Sequence, residues 1–312
     1  MNEIRTHKRS ETEKEGTGAF FKDKENIDAA YIKAHLPPRR RDSHKGSYGR
    51  LHIFAGSKQY RGAAILAAEG ALRTGVGLVT LSSEETVLLT VGERLPELLL
   101  DARAPVSAWT EEEIALAVSA SESANAVLVG PGAGVSPALY RFVYALSRKE
   151  GAPLALDADA LNAIAAYADG VDGFFAGAAR PILLTPHPLE LGRLVRLSAK
   201  EVQARREALT RELAKRWGVA LLLKGADTLV ADGERLLVNT SGSSALSKGG
   251  SGDVLAGAVG AFLAQGAKPV EALALAAYLH GKAGDTLAEE YSEYGVLPSE
   301  LPRQMAKLLA KI

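Results

Sequence analysis

Hydrophobic residues occur in short runs that alternate with longer segments of helical spacing, from about residue 27 to residue 239. Many of the short runs are apolar throughout, which is typical of strands covered on both faces of a sheet. We expect strands at residues 50–56, 77–82, 97–100, 126–130, 153–158, 181–185, 219–225, 228–232 and 235–239. The segments between them include predicted helices at residues 62–75, 136–151 and 198–218. Such alternation predicts a mostly parallel sheet between helical layers.

Local signals mark the ends of several elements. Ser198 followed by Glu201 has the pattern of a helix N-cap with a capping box, and Gly218 can close the same helix. Asp232–Gly233 predicts a hairpin turn between the last two strands. After residue 239 the pattern is helical only, at residues 252–264, 269–288 and 298–311. The predicted fold class is therefore α/β, a three-layer α/β/α arrangement with a mostly parallel central sheet.

The first 26 residues differ from the rest of the chain. They mix both signs of charge, contain few apolar residues and show no sustained period. Six acidic residues in this segment argue against a transit peptide. We expect residues 1–26 to form a mobile tail and residues 27–312 to form one catalytic domain.

Composition excludes several classes of function. Lys and Arg number 37, as do Asp and Glu, so no net charge attracts the protein to nucleic acid or to an anionic membrane. No apolar run approaches the roughly 18 residues that a membrane span needs. The absence of cysteine excludes thiol catalysis, cysteine-ligated metals and disulfides. We expect a cytoplasmic protein whose anionic ligands are held by a local site.

Small, polar and glycine-containing segments follow the predicted strands. Because ligands of open parallel sheets bind beyond the carboxyl ends of the strands, we expect these segments to converge on one crevice. They read "AGSKQYRGAA", "GPGAG", "DADALN", "TPHPLE", "KGADT" and "NTSGSSALSKGGSGD" in chain order. No GxxxxGK[ST] sequence occurs, which excludes a P-loop nucleotide site. "GPGAG" alone fits a phosphate or sugar contact and a tight turn equally well.

The stretch "ALSKGGSGDVLAG" opens directly into an apolar helix. The first turn of a helix stabilises an anion, and glycines there let a phosphate approach the backbone. Ser251 either caps this helix or binds the same anion. Asp253 either complements the helix dipole or acts as a base that takes a proton from a substrate hydroxyl during phosphoryl transfer. Because a carboxylate repels a phosphate chain, the second interpretation requires a cation, and Mg²⁺ is the expected one.

Three further segments have two interpretations each. His187, between two prolines, either orients a ligand ring or belongs to a rigid connection without a ligand role. Asp157 and Asp159 hold Mg²⁺ or a substrate hydroxyl, or they cap the next helix. Lys224 and Thr228 contact a nucleotide or lie on an exposed hairpin. The remaining histidines show no metal-ligand spacing, so no protein metal ligand is assigned.

Taken together, these segments resemble the ADP- or ATP-dependent NAD(P)H-hydrate dehydratases of the ribokinase-like superfamily. The matching pieces are "HKGSYGRLHIFAGS", "RGAAILAAEGALRTGVGLVTL", "VGPGAG", "LDADALN", "LLTPHPLE", "LLKGADTLV", "VNTSGSSALSKGGSGDVLAGAVGAFLAQG" and "AAYLHGKAGD". They run in order from His44 to Asp285. The glycine–aspartate motif is shared across the superfamily, whereas "HKG", "TPHP" and "KGADT" favour the dehydratase branch.

The resemblance implies a repair reaction. NADH and NADPH slowly add water at the 6-position of the nicotinamide ring, and the family removes this water from the S epimer at the expense of a nucleotide. The implied route is phosphorylation of the ring hydroxyl followed by loss of phosphate. The chain is similar to bacterial stand-alone members, which commonly use ADP in preference to ATP.

The resemblance also implies roles for single residues. Asp253 resembles the catalytic base and also contacts the substrate. The other implied substrate contacts are Ala63, Gly130, Gly132 and His187. The implied nucleotide contacts are Lys224, Gly225, Ala226, Asp227 and Thr228, together with Gly250, Ser251 and Gly252 at the anion hole. The family further implies a homotetramer and cooperation with a separate NAD(P)H-hydrate epimerase.

Three departures from the family pattern stand out. Leu189 occupies the position of the usual glycine in "TPHPGE", beside His187. Ser243 and Ser244 replace the usual "TGN"-type turn. Many relatives have an epimerase domain before "HKG", and the roughly forty residues that precede this motif here are too few to form one.

Two alternatives belong to other classes of function. A small-molecule kinase of the same superfamily, acting on a hydroxymethylpyrimidine, a thiazole alcohol or a sugar, would share the anion hole and the base. The product separates the two, because a kinase leaves a stable phosphorylated alcohol. A nucleotide-binding sensor without activity is disfavoured because Asp253 is present.

Overall fold

The structure, a computed structural model, describes residues 24–312. Ten strands form one sheet: β1 (Glu25–Asn26), β2 (Arg50–Phe54), β3 (Leu78–Glu84), β4 (Leu99–Arg103), β5 (Ala126–Val129), β6 (Leu154–Leu156), β7 (Ile182–Leu184), β8 (Ala220–Leu223), β9 (Thr228–Ala231) and β10 (Leu236–Asn239). The helices are α1 (Ala29–His35), α2 (Arg61–Arg73), α3 (Glu85–Arg94), α4 (Glu111–Ala120), α5 (Pro137–Arg148), α6 (Asp159–Tyr167), α7 (Val171–Ala176), α8 (Pro188–Val195), α9 (Ala199–Ala204), α10 (Arg206–Trp217), α11 (Ser251–Ala264), α12 (Pro269–Gly295) and α13 (Leu301–Leu309). Short 3₁₀ helices lie at Lys45–Tyr48, Val106–Ala108, Ser244–Leu246 and Pro298–Glu300.

The sheet is mostly parallel, as the alternation of strands and helices predicts. Its strand order is β1-β10-β9-β8-β7-β6-β5-β2-β3-β4. Only β9 runs antiparallel to its neighbours β8 and β10, and Asp232–Gly233 lies in the turn between β9 and β10. All nine predicted strands are confirmed. The tenth, β1, was not predicted, because its two polar residues pair with β10 only through the backbone.

The start of the sheet corrects one predicted boundary. The tail was expected to reach residue 26, whereas Glu25 and Asn26 already pair with Leu237 and Val238 of β10. The expected mobile tail over residues 1–23 lies outside the described residues. The ordered fold therefore begins at least two residues before the predicted boundary.

The predicted helices are present, with two differences. Ser198 caps α9 and Glu201 completes the capping box, but the helix breaks at Arg205, where φ is −126° and ψ is 24°. Gly218 closes α10 in the left-handed conformation, as predicted. α12 extends seven residues beyond its predicted end and contains one non-helical residue, Ser292. In residues 24–312 no helix has the length and apolar character needed to cross a bilayer.

The strands are apolar throughout because each face of the sheet packs on its own core. In β8, Leu222 faces the core that contains most of α2, α11 and α12, whereas Leu221 and Leu223 face the core that contains α5, α6 and α10. All three leucines are fully buried. Both faces of the strand are thus removed from water, which accounts for the absence of hydrophobic–polar alternation.

Helices α2 and α11 approach each other backbone to backbone. A Cβ atom on Gly70 would lie 2.6 Å from the carbonyl oxygen of Val254, and one on Gly257 would lie 1.9 Å from that of Ala67. Real Cβ atoms do not tolerate such distances, so both positions require glycine. The two glycines bring the start of α2 and the start of α11 to the same end of the sheet.

Candidate active site

The polar segments of the sequence converge at the carboxyl ends of the parallel strands, as expected. Residues 55–63 follow β2, 130–134 follow β5, 157–159 follow β6, 185–190 follow β7 and 224–228 follow β8. The strands β8, β7, β6, β5 and β2 are consecutive neighbours in the sheet. These segments therefore form one continuous edge, and the start of α11 reaches its polar groups.

The start of α11 presents backbone N–H groups without a side-chain cap. Gly250 occupies the N-cap position with φ at 103°, and no side chain accepts a hydrogen bond from the first turn. The proposed capping role of Ser251 is wrong, because Ser251 is the first helical residue. Its Oγ lies 3.1 Å from His280 Nε2, which also lies 2.9 Å from the Ser251 carbonyl oxygen. Such an uncapped, glycine-rich helix start is suited to an anion.

Asp253 lies in the first turn of α11 and is partly buried. The pKa of its carboxyl is raised from 3.8 to about 7, chiefly by burial and also by the nearby carboxylates of Asp157, Asp159 and Glu190, against the opposing effect of Lys224. A group with this pKa is ionised in part at neutral pH and can both accept and return a proton. The arrangement is suited to a base beside an anion site.

Lys224 and Asp157 form a buried ion pair. The Lys224 Nζ–Asp157 Oδ1 distance is 2.6 Å, and the Asp157 side chain is 1% exposed. Thr185 Oγ1 donates to the same carboxylate oxygen at 2.8 Å, so the pair joins the ends of β6, β7 and β8. Burial acts to lower the pKa of Lys224, but the carboxylates of Asp157 and Glu190 outweigh it and the pKa is raised. The alternative of an exposed lysine on a surface hairpin is wrong.

The Lys224 ammonium group also approaches the anion site. A Cβ atom on Gly252 would lie 3.2 Å from Lys224 Nζ. The positive charge therefore stands beside the first turn of α11, where a phosphoryl group would be bound. A larger residue at position 252 would require the ammonium group to shift by a few tenths of an ångström.

The "GPGAG" loop packs against the start of α2. Gly132 has φ at 61°, and a Cβ atom there would lie 2.7 Å from the Cβ atoms of both Ala63 and Tyr60. Asp159 Oδ2 accepts a hydrogen bond from Gly134 N at 2.8 Å, which holds the loop to the end of β6. Neither Asp157 nor Asp159 caps α6, since Ala158 is the N-cap and no side chain bonds there. The predicted substrate contacts Ala63, Gly130 and Gly132 thus lie together.

His187 is the N-cap of α8. Its Nδ1 accepts hydrogen bonds from Leu189 N at 3.1 Å and Glu190 N at 3.2 Å, and the Glu190 carboxylate accepts one from His187 N at 2.8 Å. The neutral ring then carries its proton on Nε2. Burial lowers the pKa of His187, with a smaller effect from Lys224. The ring is about half exposed, and its Nε2 lies 3.4 Å from Glu190 Oε1, so the same glutamate holds the ring at a defined angle.

Leu189 does not bury its side chain against His187, since the leucine is 47% exposed. The other departures make local contacts. Ser243 Oγ accepts from Ala245 N at 3.4 Å, and Ser244 Oγ contacts Glu293.

Sequence reasoning missed Glu190. Its side chain is 6% exposed, and burial raises its pKa to about 7 while Lys224 opposes the shift. The sequence does contain a signal for Glu190, because a glutamate three residues after the N-cap is the pattern of a capping box. Histidine is not among the usual N-cap residues, so this capping box was not recognised. Lys224 therefore interacts with three carboxyl groups, those of Asp157, Glu190 and Asp253, in a site that is rich in negative charge.

Sequence reasoning also missed Arg206, which supports the predicted nucleotide loop. This loop spans residues 224–228 and is closed by a hydrogen bond from Thr228 Oγ1 to the Gly225 carbonyl at 2.9 Å. The Arg206 guanidinium donates to the carbonyl oxygens of Leu223 at 3.3 Å, Lys224 at 3.4 Å and Asp227 at 3.4 Å, and also to that of Ala226. Arg206 begins α10, so the helix break at Arg205 places it under the loop.

Comparison with known proteins identifies the family. The family described as NAD(P)H-hydrate dehydratase matches residues 51–307. The chain is 37% identical over 254 residues to the ADP-dependent (S)-NAD(P)H-hydrate dehydratase of Neisseria meningitidis, covering 80% of this chain and 81% of that protein. It is 36% identical over 278 residues to the bifunctional NAD(P)H-hydrate repair enzyme Nnr of Thermofilum pendens, covering 88% of this chain. It spans about half the length of that relative, 52%.

Solved structures share the architecture. The ADP/ATP-dependent NAD(P)H-hydrate dehydratase of Bacillus subtilis, co-crystallised with ATP and Mg²⁺, superposes with a TM-score of 0.80 at 29% identity and covers 93% of this chain and 99% of that one. A hydroxyethylthiazole kinase from Pyrococcus horikoshii, with a TM-score of 0.54 at 18% identity over 91% of this chain and 92% of that one, shares the fold alone. The fold is therefore ribokinase-like, and the chain belongs to the NAD(P)H-hydrate dehydratase family.

Proposed function

We propose that the protein is a hydro-lyase that restores NADH and NADPH from their 6-hydroxy hydrates, S epimer, at the expense of ADP or ATP. The observation that carries this proposal is Asp253, a carboxyl with a pKa of about 7 in the first turn of an uncapped, glycine-rich helix. A base and an anion site in contact are the groups that phosphorylation of a hydroxyl needs. Family membership and similarity to the Neisseria enzyme support the choice of substrate.

The first step is phosphoryl transfer. The ring hydroxyl oxygen attacks the terminal phosphorus of the nucleotide, the bond to the bridging oxygen breaks, and AMP leaves when ADP is the donor. Asp253 accepts the hydroxyl proton. The N–H groups of Gly250 and Gly252 at the start of α11 and the Lys224 ammonium group stabilise the negative charge on the transferred group, whereas Ser251 N donates to the Lys248 carbonyl at 3.2 Å. Ser251 does not act as a cap in this scheme, since its Oγ faces His280.

The second step is elimination. The bond between ring carbon 6 and the phosphate oxygen breaks, the proton on carbon 5 is lost, and a double bond forms between these carbons. Phosphate leaves far more readily than hydroxide, which explains the use of a nucleotide. His187, whose Nε2–H is held at a fixed angle, is suited to orient the nicotinamide ring beside Ala63 and Gly132.

The nucleotide is assigned to the loop Lys224–Gly225–Ala226–Asp227–Thr228, with its terminal phosphate at Gly250–Gly252. We propose ADP as the preferred donor. The Neisseria relative is named ADP-dependent, and the Bacillus relative ADP/ATP-dependent. Arg206 holds the carbonyl groups of this loop and so shapes the surface that the nucleotide meets.

Mg²⁺ fits the donor groups present. In residues 24–312 no set of three or more acidic or histidine side chains is arranged to hold a metal unaided. Mg²⁺ is commonly bound by one or two carboxylates together with substrate phosphates, so this finding agrees with an ion that arrives with the nucleotide. Asp157 is engaged by Lys224, which leaves Asp159 as the carboxylate that would hold the ion. The ion would neutralise phosphate charge that the carboxylates repel.

The decisive experiment supplies hydrated NADH with ADP or ATP and Mg²⁺. We expect recovery of the absorbance of NADH together with AMP and free phosphate from ADP. kcat/KM should rise with pH and level off above about 7, because Asp253 must be ionised to accept a proton. Asp253→Asn should lose about a hundredfold or more in kcat, whereas Asp169→Asn, an exposed carboxylate elsewhere, should not. A stable phosphorylated alcohol as product would instead identify a small-molecule kinase.

We further propose a homotetramer in the cytoplasm that acts beside a separate NAD(P)H-hydrate epimerase. Exposed leucines at the sheet edge, Leu99 and Leu100 of β4 and Leu89 of α3, support assembly. Light scattering coupled to gel filtration measures the assembly directly. A monomer at micromolar concentration would contradict this proposal without affecting the reaction.

A further inference from the structure

A cavity of about 380 Å³ opens at the carboxyl ends of β2, β3 and β4. Its floor is aromatic, with Phe54 and Phe142 rings 4.7 Å apart and Trp109 and Phe142 rings 5.1 Å apart between centroids. The Trp109 indole N–H is already satisfied by the Ala104 carbonyl at 2.7 Å. The volume falls within the range of about 300 to 1,000 Å³ that is usual for small-molecule sites.

The cavity borders the proposed substrate contacts without including them. The segment 55–63 carries Ala63 at its end and lines the cavity with residues 55–59. The segment 130–135 carries Gly132 and lines the cavity with residues 133–135. Gly132 packs on Ala63, so the contact between the two segments separates the ring site from the cavity. A dinucleotide would have to pass over this contact to occupy both the ring site and the cavity.

The polar side chains that line the cavity are those of Ser57, Lys58, Gln59, Ser82, Ser83, Glu84 and Ser107. Ser57 Oγ is buried and makes no hydrogen bond within the described part of the chain, although it lines the cavity. Glu84, half-buried at the end of β3, accepts a hydrogen bond from Lys58 N with one oxygen. A carboxylate at a strand end is suited to accept hydrogen bonds from ribose hydroxyls, and a buried hydroxyl without a partner is costly unless a ligand pairs with it.

We propose that this cavity binds the adenosine half of the dinucleotide hydrate. The inference rests on the proposed function, which places the nicotinamide ring at Ala63, Gly132 and Asp253. The adenine would lie on the aromatic floor, and the ribose hydroxyls would meet Glu84 and Ser57. The loop 224–228 follows β8, four strands from β2, and at about 4.8 Å per strand this is roughly 19 Å away. A nucleotide donor at that loop therefore leaves the cavity to the substrate.

The test compares hydrated NADH with hydrated reduced nicotinamide mononucleotide, which lacks the adenosine monophosphate half. Ser107→Trp places an indole at the exposed rim of the cavity, and Ser119→Trp on α4, exposed and away from it, is the matched control. We expect Ser107→Trp to raise KM for hydrated NADH at least tenfold. It should leave KM for ADP and turnover of the mononucleotide hydrate at their wild-type values, as Ser119→Trp should for all three.

Ser57→Ala provides a second variant that does not depend on added bulk. It removes the buried hydroxyl, so kcat/KM for hydrated NADH should fall several-fold while the Tm of the free protein does not fall. Equal losses on both hydrates, no loss in a folded Ser107→Trp protein, or a raised KM for ADP would each overturn the inference. Wild-type protein that turns over neither hydrate would overturn the proposed function, and with it the inference.

Discussion

The Asp253→Asn substitution removes a carboxyl that the unfolded chain ionises near pH 3.8 and the folded protein near pH 7. Between these values the folded protein binds more protons than the unfolded chain, so the stability of the wild type falls as pH rises from about 4 to about 7. Above about pH 7 the titration of Asp253 lowers the stability of the wild type no further. Asparagine has a similar shape and no charge, so the variant avoids this loss while it lacks the base.

The magnitude follows from the shift. About three pKa units at 1.36 kcal/mol per unit correspond to a loss on the order of 4 kcal/mol at pH 8, and to less than half of that at pH 5. Glu190 remains in the variant and keeps its own pH dependence. We therefore expect Asp253→Asn to unfold at higher urea than the wild type at pH 8, with a gain about 2.5 kcal/mol larger than at pH 5.

Urea unfolding at pH 5 and pH 8, followed by circular dichroism, measures both gains, and the dehydration assay measures turnover. Asp169→Asn is the matched control, because the same change at an exposed carboxylate should alter neither. An Asp253→Asn protein that is less stable than the wild type at pH 8, or whose gain is equal at the two pH values, would refute the assignment of a buried, high-pKa base.

Three further predictions concern single contacts. Lys224→Met should lower the free energy of unfolding, measured in urea, by about 3–5 kcal/mol, because Asp157 keeps a buried charge without its partner. Asp157→Asn in the same chain should restore much of this stability. A double variant that is as unstable as Lys224→Met would contradict the pairing. Arg206→Lys cannot donate to several carbonyls at once and should raise KM for ADP by about tenfold with KM for the hydrate unchanged; equal changes in both would contradict a role confined to the loop. Gly257→Ala should cost about 1–3 kcal/mol by overpacking, whereas Gly173→Ala, with open space around it inside a helix, should be neutral or stabilising by up to about 1 kcal/mol.

Nine strands could be predicted because they are short runs of mostly apolar residues. Such a run can be recognised from residues that are adjacent in the sequence. β1 could not, since Glu25 and Asn26 are polar and join the sheet through backbone pairing with residues more than 200 positions away. The break at Arg205 has no glycine or proline to announce it. Its cause lies in tertiary contacts such as those between Arg206 and the loop after β8.

The convergence of the polar segments on one candidate site could be predicted, whereas the pairing of residues within it could not. Strand ends of a parallel sheet meet at one edge, so the polar segments had to converge. The ion pair of Lys224 with Asp157 joins residues 67 positions apart, and either residue had a second acceptable interpretation. Glu190 was hidden because its raised pKa arises from burial, which depends on how α8 packs and not on local sequence.

The backbone contacts at Gly70 and Gly257 also limit how the enzyme can move. Helices α2 and α11 cannot slide or tilt past each other without collision of main-chain atoms. Ala63 lies in the first turn of α2 and Asp253 in the first turn of α11, so the proposed ring site and its proposed base belong to one rigid body. Under the proposed function, admission of the hydrate and release of NADH would then depend on the loops that surround this body.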